Sequence, residues 1–220
     1  MQSHLDGRVV VVTGAASGFG RLVAGKSAAR GARVVAGDAN EAALEETVAG
    51  IRDAGGRIEP FVVDVCDRAR VMALAARAVE VFGALDVMVN NAGVMPLAFF
   101  ADHAEAAPAW ERCIDVNFKG VLNGIVAAWD PMIAQGRGHV VNVSSIYGNH
   151  PVAGAAVYGA TKAAVNFLSE ALRQESQGRI KVTTIRPTGV PTTGLGAGVV
   201  NPAAIQGILG GEIEVFMQKM

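Results

Sequence analysis

Six short runs rich in β-branched apolar residues recur along the chain, and five segments of helical length fill the intervals between them. The first run, residues 8–13 (RVVVVT), is apolar almost throughout, which marks a strand covered on both faces. The others are residues 33–37, 57–63, 85–89, 139–143 and 180–185. The helical segments are residues 18–30, 41–54, 67–82, 107–135 and 157–177; Asn40 is placed to cap the second, and the fourth reads as one long region or as two helices meeting near Trp110. Strands separated by helices of this length form right-handed βαβ units. The fold class predicted is therefore α/β: a doubly wound parallel sheet of six strands with helices on both faces. No repeat or Pro/Ser-rich linker divides the chain, so residues 1–220 read as one domain.

Composition removes other classes. With 51% hydrophobic and 18% charged residues, the chain is too apolar to remain disordered. A net charge of −1 lacks the basic face that a nucleic-acid partner requires. Residues 138–161 and 187–211 carry no Asp, Glu, Lys or Arg, yet Gly, Pro, Asn and Thr break both, so neither is expected to span a bilayer. The first eight residues lack an apolar signal core, and a cytoplasmic location is expected. Cys66 and Cys113 stand far apart with no ligand spacing around them, which predicts reduced thiols and no metal site.

The first strand runs directly into Thr13-Gly14-Ala15-Ala16-Ser17-Gly18-Phe19-Gly20. Between a buried strand and a helix, this spacing suits a pyrophosphate: Gly14 permits the tight turn, Gly18 the approach of backbone N–H groups, and Gly20 close helix packing. The helix N-terminus adds unpaired donors and partial positive charge. This is the phosphate cradle of a Rossmann-type fold, with Ser17 and Phe19 inside it. Asp38 ends the second strand where a carboxylate accepts from a ribose 2′-hydroxyl. It would repel a 2′-phosphate, and Ser17, Ala39 and Asn40 offer no compensating cation, so NAD is expected rather than NADP; Asp38 can equally serve as a helix cap. Asp64 and Val65 follow the third strand, either beside the adenine or as turn residues.

Tyr158 and Lys162 are four apart in a helical segment and project from one face. A phenol titrates near 10, and a nearby ammonium favours the phenolate, so the pair is a candidate acid/base. Ser145 lies thirteen residues before Tyr158, at the C-terminal end of the fifth strand, the edge where open parallel sheets bind ligands. Asn90-Asn91-Ala92-Gly93 ends the fourth strand, and Asn117 lies in the long helical region between these strands.

These motifs together (TGAASGFG at 13–20, NNAG at 90–93, Asn117, Ser145 with YGATK at 158–162, and IRP at 185–187) resemble the short-chain dehydrogenase/reductase family over about the first 192 residues. The resemblance implies an NAD-dependent oxidoreductase that interconverts a secondary alcohol and its ketone. Tyr158 would be its general acid/base, and Lys162 the group that lowers the Tyr158 pKa and holds the nicotinamide ribose. Ser145 would bond the reacting oxygen, and Asn117 would hold a water of a proton relay. Asn91, Ala92 and Gly93 would line the cofactor groove, with Pro187, Thr188, Val190 and Thr192 on its nicotinamide side. A homodimer or homotetramer is implied as well.

Two features depart from that family. The usual Pro-Gly after the sixth strand reads Pro187-Thr188-Gly189, and the seventh strand is missing or replaced. Residues 213–217 substitute for it, another subunit covers the sixth strand, or the sequence is not the whole natural protein. Residues 202–209 could form a short helix, and residues 188–212 read as a substrate loop. Met95, Leu97, Phe99, Tyr147, His150, Val152 and Val199 give the loops a mostly apolar lining, which favours an apolar substrate, although several can equally pack in the core and His150 can stand in solvent. Two other functions compete: a nucleotide-binding regulatory protein without turnover, and a sugar-nucleotide epimerase or dehydratase. The intact Tyr158, Lys162, Ser145 and Asn117 count against the first, and the glycine spacing against the second.

Overall fold

The computed structural model describes residues 3–188, 195 and 198–205. Six parallel strands form one sheet: β1 (Val9–Thr13), β2 (Arg33–Asp38), β3 (Arg57–Val62), β4 (Val87–Asn90), β5 (His139–Val143) and β6 (Lys181–Ile185). Their order is β3-β2-β1-β4-β5-β6, so the chain moves outward from β1 to one edge and then returns to build the other half. The reversal lies between β1 and β4, which pair through Val10↔Val87 to Val12↔Val89. In such a sheet the crevice above the reversal is where ligands bind.

Alternation along β1 builds two cores. Val9 and Val11 face one side, with α3 (Arg68–Phe82), α5 (Gly120–Ala134) and α6 (Ala156–Glu175) supplying Leu74, Ala128, Met132 and Leu172. Val10 and Val12 face the other, against Ala24 of α1 (Gly18–Ala28) and Leu44, Val48 and Ile51 of α2 (Glu41–Asp53). All four valines are buried, each contributing about 1.5–3 kcal/mol, which is why this strand reads as an unbroken apolar run. On the α1/α2 side the described residues place no helix over β6, and Ile185 is 44% exposed.

Most boundaries match the pattern within two residues. Asn40 caps α2 by accepting the Ala43 N–H at 3.1 Å, and Asp67 is the cap of α3 rather than its first residue. The fourth strand begins later than expected, because the backbone N–H of Leu85 is taken by the Gln135 side chain and enters no ladder. The long helical region needs a larger correction. It begins at His103 and divides into α4 (His103–Ile114) and α5, and the junction is a π-type turn over Asp115–Lys119 rather than a break near Trp110. Such a turn inserts one residue into the hydrogen-bond ladder, a single-residue shift inside a stretch that is helical on both sides. Asn117 sits inside it. Of residues 202–209, those at 203–205 are helical; 206–209 and the 213–217 segment lie outside the described residues.

Candidate active site

Every strand of the sheet delivers a predicted residue to its C-terminal edge. At β1 the chain turns through Gly14 at φ 66°. A Cβ on Gly14 would stand 2.8 Å from the Ala92 Cα, and one on Gly20 only 1.9 Å from the Gly14 carbonyl oxygen, so these glycines let loop, helix and the NNAG segment close on one another. Gly18 contributes differently, through its own positive φ of 49°. Ser17, extended and exposed, makes no side-chain bond to α1, so the first-turn N–H groups have no capping oxygen. Backbone room and uncapped donors at this end fit a dinucleotide pyrophosphate. Phe19 is half-buried beside them.

Thr13, absent from the expected site, organises the groove. Its hydroxyl donates to the Val89 carbonyl at 3.3 Å and accepts the N–H groups of Asn91 and Ala92 at 3.0 and 3.2 Å. The Asn91 side chain donates back to the Thr13 and Gly14 carbonyls at 2.9 and 3.1 Å. The cue in sequence was a threonine joining the apolar run to the first glycine. Asp38 accepts the Ala16 N–H through Oδ2 and the Asn40 N–H through Oδ1, both at 2.9 Å, so it stiffens the glycine loop while Asn40 does the helix capping. A cation does approach this corner: Arg21 donates to the Ala16 carbonyl at 3.0 and 2.6 Å. Asp64 accepts from the Cys66 N–H and from Arg112, both at 3.0 Å. Burial works to raise its pKa, but these bonds outweigh it and hold the carboxyl below the usual range. Val65 is buried against Gly120.

Tyr158, Lys162, Ser145 and Asn117 come together and are all buried. The Lys162 Nζ lies 5.7 Å from the centre of the Tyr158 ring and donates to the Val143 carbonyl at 2.9 Å. The Ser145 hydroxyl accepts the Tyr147 N–H at 3.2 Å and lies near enough to the Tyr158 phenol to favour its ionised form. A Cβ on Gly93 would lie 3.3 Å from Asn117 Oδ1 and 3.5 Å from Lys162 Nζ, so this glycine separates the two. Asn117 is tied at both ends of its amide: Oδ1 accepts the Val94 N–H at 2.9 Å, and Nδ2 faces the Val94 carbonyl, Thr161 Oγ1 and Cys113 Sγ at 2.9, 3.2 and 3.3 Å.

A model of the short-chain dehydrogenases matches residues 8–200. The chain is 40% identical over 193 residues to a 2,5-dichloro-2,5-cyclohexadiene-1,4-diol dehydrogenase of Sphingobium indicum, covering 87% of this chain and 76% of that one. It is 35% identical over 190 residues to a 3-oxoacyl-[acyl-carrier-protein] reductase of Thermotoga maritima, covering 86% and 76%. This chain belongs to the short-chain dehydrogenase family. Among solved structures, one such enzyme from Burkholderia phymatum in complex with NAD superposes with a TM-score of 0.85 at 33% identity, over 97% of this chain and 79% of that one. A metagenomic short-chain oxidoreductase in complex with NADP gives 0.78 at 35%, over 86% and 85%. The family is thus an NAD(P)-binding oxidoreductase family, and this member is an enzyme of that kind.

Burial acts on both members of the Tyr158–Lys162 pair of this short-chain dehydrogenase. It raises the Tyr158 phenol, and the neighbouring Ser145 hydroxyl offsets part of that. Burial also pushes the Lys162 ammonium down to about 8. The Asn117 side chain is held by Val94 and Thr161, and its Oδ1 keeps a second acceptor site beside the main-chain groups of the π-type turn.

Around the short-chain dehydrogenase site, Tyr147 stands edge-on to Tyr158 with ring centres 6.4 Å apart. Leu97, Ala155 and Ala204 form a small buried cluster with Met95, Phe99, Val152, Val199 and Ile205 packed on it. The Leu97 carbonyl accepts the N–H groups of Val200 and Asn201, which fastens residues 198–205 over the loop after β4. Leu97 is therefore core of this roof rather than free pocket wall. His150 is exposed. Pro187 accepts the Ile146 N–H at 3.2 Å and Thr188 is exposed, while Val190 and Thr192 lie outside the described residues. Among the described residues no cluster of metal-binding side chains occurs, and no helix is long and apolar enough to cross a membrane.

Proposed function

We propose that this short-chain dehydrogenase interconverts an apolar secondary alcohol and the corresponding ketone with NAD. The observation that carries the reading is the buried Tyr158 phenol, with Ser145 beside it and the Lys162 ammonium 5.7 Å from its ring centre, at the sheet edge that also holds the glycine loop. Bound NAD would accept or return hydride at its nicotinamide ring. Tyr158 takes the hydroxyl proton in oxidation and returns it in reduction. Ser145 donates to the substrate oxygen and fixes its distance from the phenol. Lys162, mostly ammonium at pH 7, holds the ribose hydroxyls and carries the positive charge next to Tyr158. Main-chain groups of the turn around Asn117 hold the water through which Lys162 exchanges its proton with solvent.

NAD is favoured because Asp38 places a carboxylate on the Ala16 N–H, where a 2′-phosphate would bring further negative charge. Arg21 does not cancel it, since its guanidinium also faces the Glu46 carboxylate at 3.9 Å. The apolar substrate class follows from Met95, Phe99 and Val152 on the roof cluster and Tyr147 beside Tyr158. A cytoplasmic homodimer or homotetramer belongs to the same proposal, on the family resemblance. The test is a panel of secondary alcohols and ketones followed at the reduced-nicotinamide absorbance with NAD, NADH and their 2′-phosphorylated forms. Turnover of apolar members with NAD is expected, and Tyr158→Phe lowers it at least about 10²-fold. Binding of NAD without turnover of any member would instead favour the regulatory reading.

A further inference from the structure

β5 and α6 are joined by a buried seam of hydrogen bonds. Asn142 and Ser144 are two apart at the end of β5 and so face the same side of the sheet. Lys162 and Ser169 are seven apart on α6, two turns, and so share one helix face. At the lower point, Asn142 Nδ2 donates to Ser169 Oγ at 2.9 Å, and Ser169 Oγ donates to the Val165 carbonyl at 2.7 Å. Asn90 Nδ2 donates to Asn142 Oδ1 at 2.8 Å and extends the seam to β4. At the upper point, Ser144 Oγ donates to the Lys162 carbonyl at 3.0 Å.

The upper bond is unusual in purpose. A carbonyl in the middle of an α-helix already accepts an N–H from four residues on, so it needs no second donor. Ser144 adds one, and the neighbouring Val143 carbonyl accepts Lys162 Nζ. Val143, the last residue of β5, and Ser144 just after it therefore hold Lys162 at both its tip and its backbone. The turn that follows leaves no slack: a Cβ on Gly148 would meet the Lys162 carbonyl carbon at 2.7 Å, and one on Gly159 would meet the Tyr147 carbonyl oxygen at 2.8 Å. At the Lys162 end both the Ser144 hydroxyl and the ammonium find acceptors, and buried hydrogen bonds of this kind fix geometry more than they add stability.

We infer that Ser144 is a positioning residue for Lys162, fixing the helix turn from which the ammonium reaches the Val143 carbonyl and the face of Tyr158. Its role in turnover rests on the proposed reaction, but the placement of Lys162 can be read without it. The titratable groups around Lys162 are Tyr158 on its own helix, Tyr147 on the turn after β5 and Cys113 on α4, and none is altered in the variants below.

The test is a lysine ε-carbon NMR titration of the folded protein, with Lys162→Arg used only to assign the resonance. Lys162 is expected to titrate near 8 in the unchanged protein. In Ser144→Ala the turn is no longer held, water gains access, and the titration moves at least about half a unit toward the ordinary ammonium value. Ser144→Thr keeps the hydroxyl and restores the original curve. With a turned-over substrate, kcat of Ser144→Ala falls about tenfold while the cofactor KM changes less than about twofold. A Ser144→Ala titration that superimposes on the original overturns the inference, as does a Thr variant displaced as far as the Ala variant. If no alcohol or ketone is turned over by the unchanged protein, the reaction assignment fails, while the titration still decides the placement of Lys162.

Discussion

Asp38 Oδ2 and the Ala16 amide meet at 2.9 Å, so the end of β2 and the middle of the glycine loop form one unit. Replacing Asp38 by alanine removes that bond, the one to Asn40 and the carboxylate itself. A lost charge-assisted hydrogen bond costs about 1.5–3 kcal/mol, or about 10- to 100-fold. The KM for NAD is expected to rise at least about tenfold and the discrimination against NADP to vanish, as read in paired cofactor titrations. An unchanged protein that prefers NADP would show that Asp38 plays no part in the choice.

Lys162 makes stability depend on pH in an uncommon direction. Its folded pKa of about 8 lies below the unfolded value near 10.4, so between those values the unfolded chain binds more protons and stability rises with pH. The burial cost is fully present below about pH 8 and is relieved above it. Urea unfolding of the protein and of Lys162→Met, which lacks the charge, should differ by about 2 kcal/mol less at pH 9.5 than at pH 7.5. Parallel curves would mean that Lys162 is not buried as a costly ammonium.

Two glycine-to-alanine changes should move in opposite directions. At Gly20 the added Cβ has the Gly14 carbonyl at 1.9 Å and Asn91 Nδ2 at 2.6 Å, so backbone must shift; a loss of about 2–4 kcal/mol is expected together with cofactor binding. At Gly50, inside α2, the Cβ meets nothing within 4 Å, and alanine gains about 0.5–1 kcal/mol from helix propensity. Denaturant midpoints report both.

At the opposite end of the sheet, Asp86 ties three segments together. It accepts the Val9 N–H at 3.0 Å through Oδ2 and both Arg8 and Arg137 at 3.1 Å through Oδ1. Burial pulls its pKa up, but these donors prevail and hold it below the usual carboxylate value. A depressed carboxyl stabilises above its unfolded pKa and loses that contribution as pH falls through the folded one. Asp86→Asn should cost about 2 kcal/mol at pH 7, after allowance for the solvent screening of the two exposed arginines. The gap between the two proteins should narrow as pH falls below the ordinary carboxylate value and through the lowered folded one; a constant gap would assign the cost to packing.

Much of this was legible because it depends on short spacings. The apolar run before Gly14, the Tyr158–Lys162 interval and Asn40 before α2 each act through geometry that a strand or a helix turn imposes locally. The π-type turn under Asn117 was not legible, because it is a single-residue shift inside a stretch that is helical on both sides. Thr13, Arg112 and Ser144 were missed for another reason: each is an ordinary polar residue whose partners lie far away in sequence, at Asn91, Asp64 and Lys162.

What the amino-acid order determined by itself is the kind of sheet, the place of the phosphate cradle and the identity of the four residues at its edge. What only the folded chain decided is their electrical state. The phenol of Tyr158 and the ammonium of Lys162 are set by how much water is removed from around them and by which carbonyl or hydroxyl fills the gap. Those neighbours come from β5 and the turn after it, and no local spacing specifies desolvation.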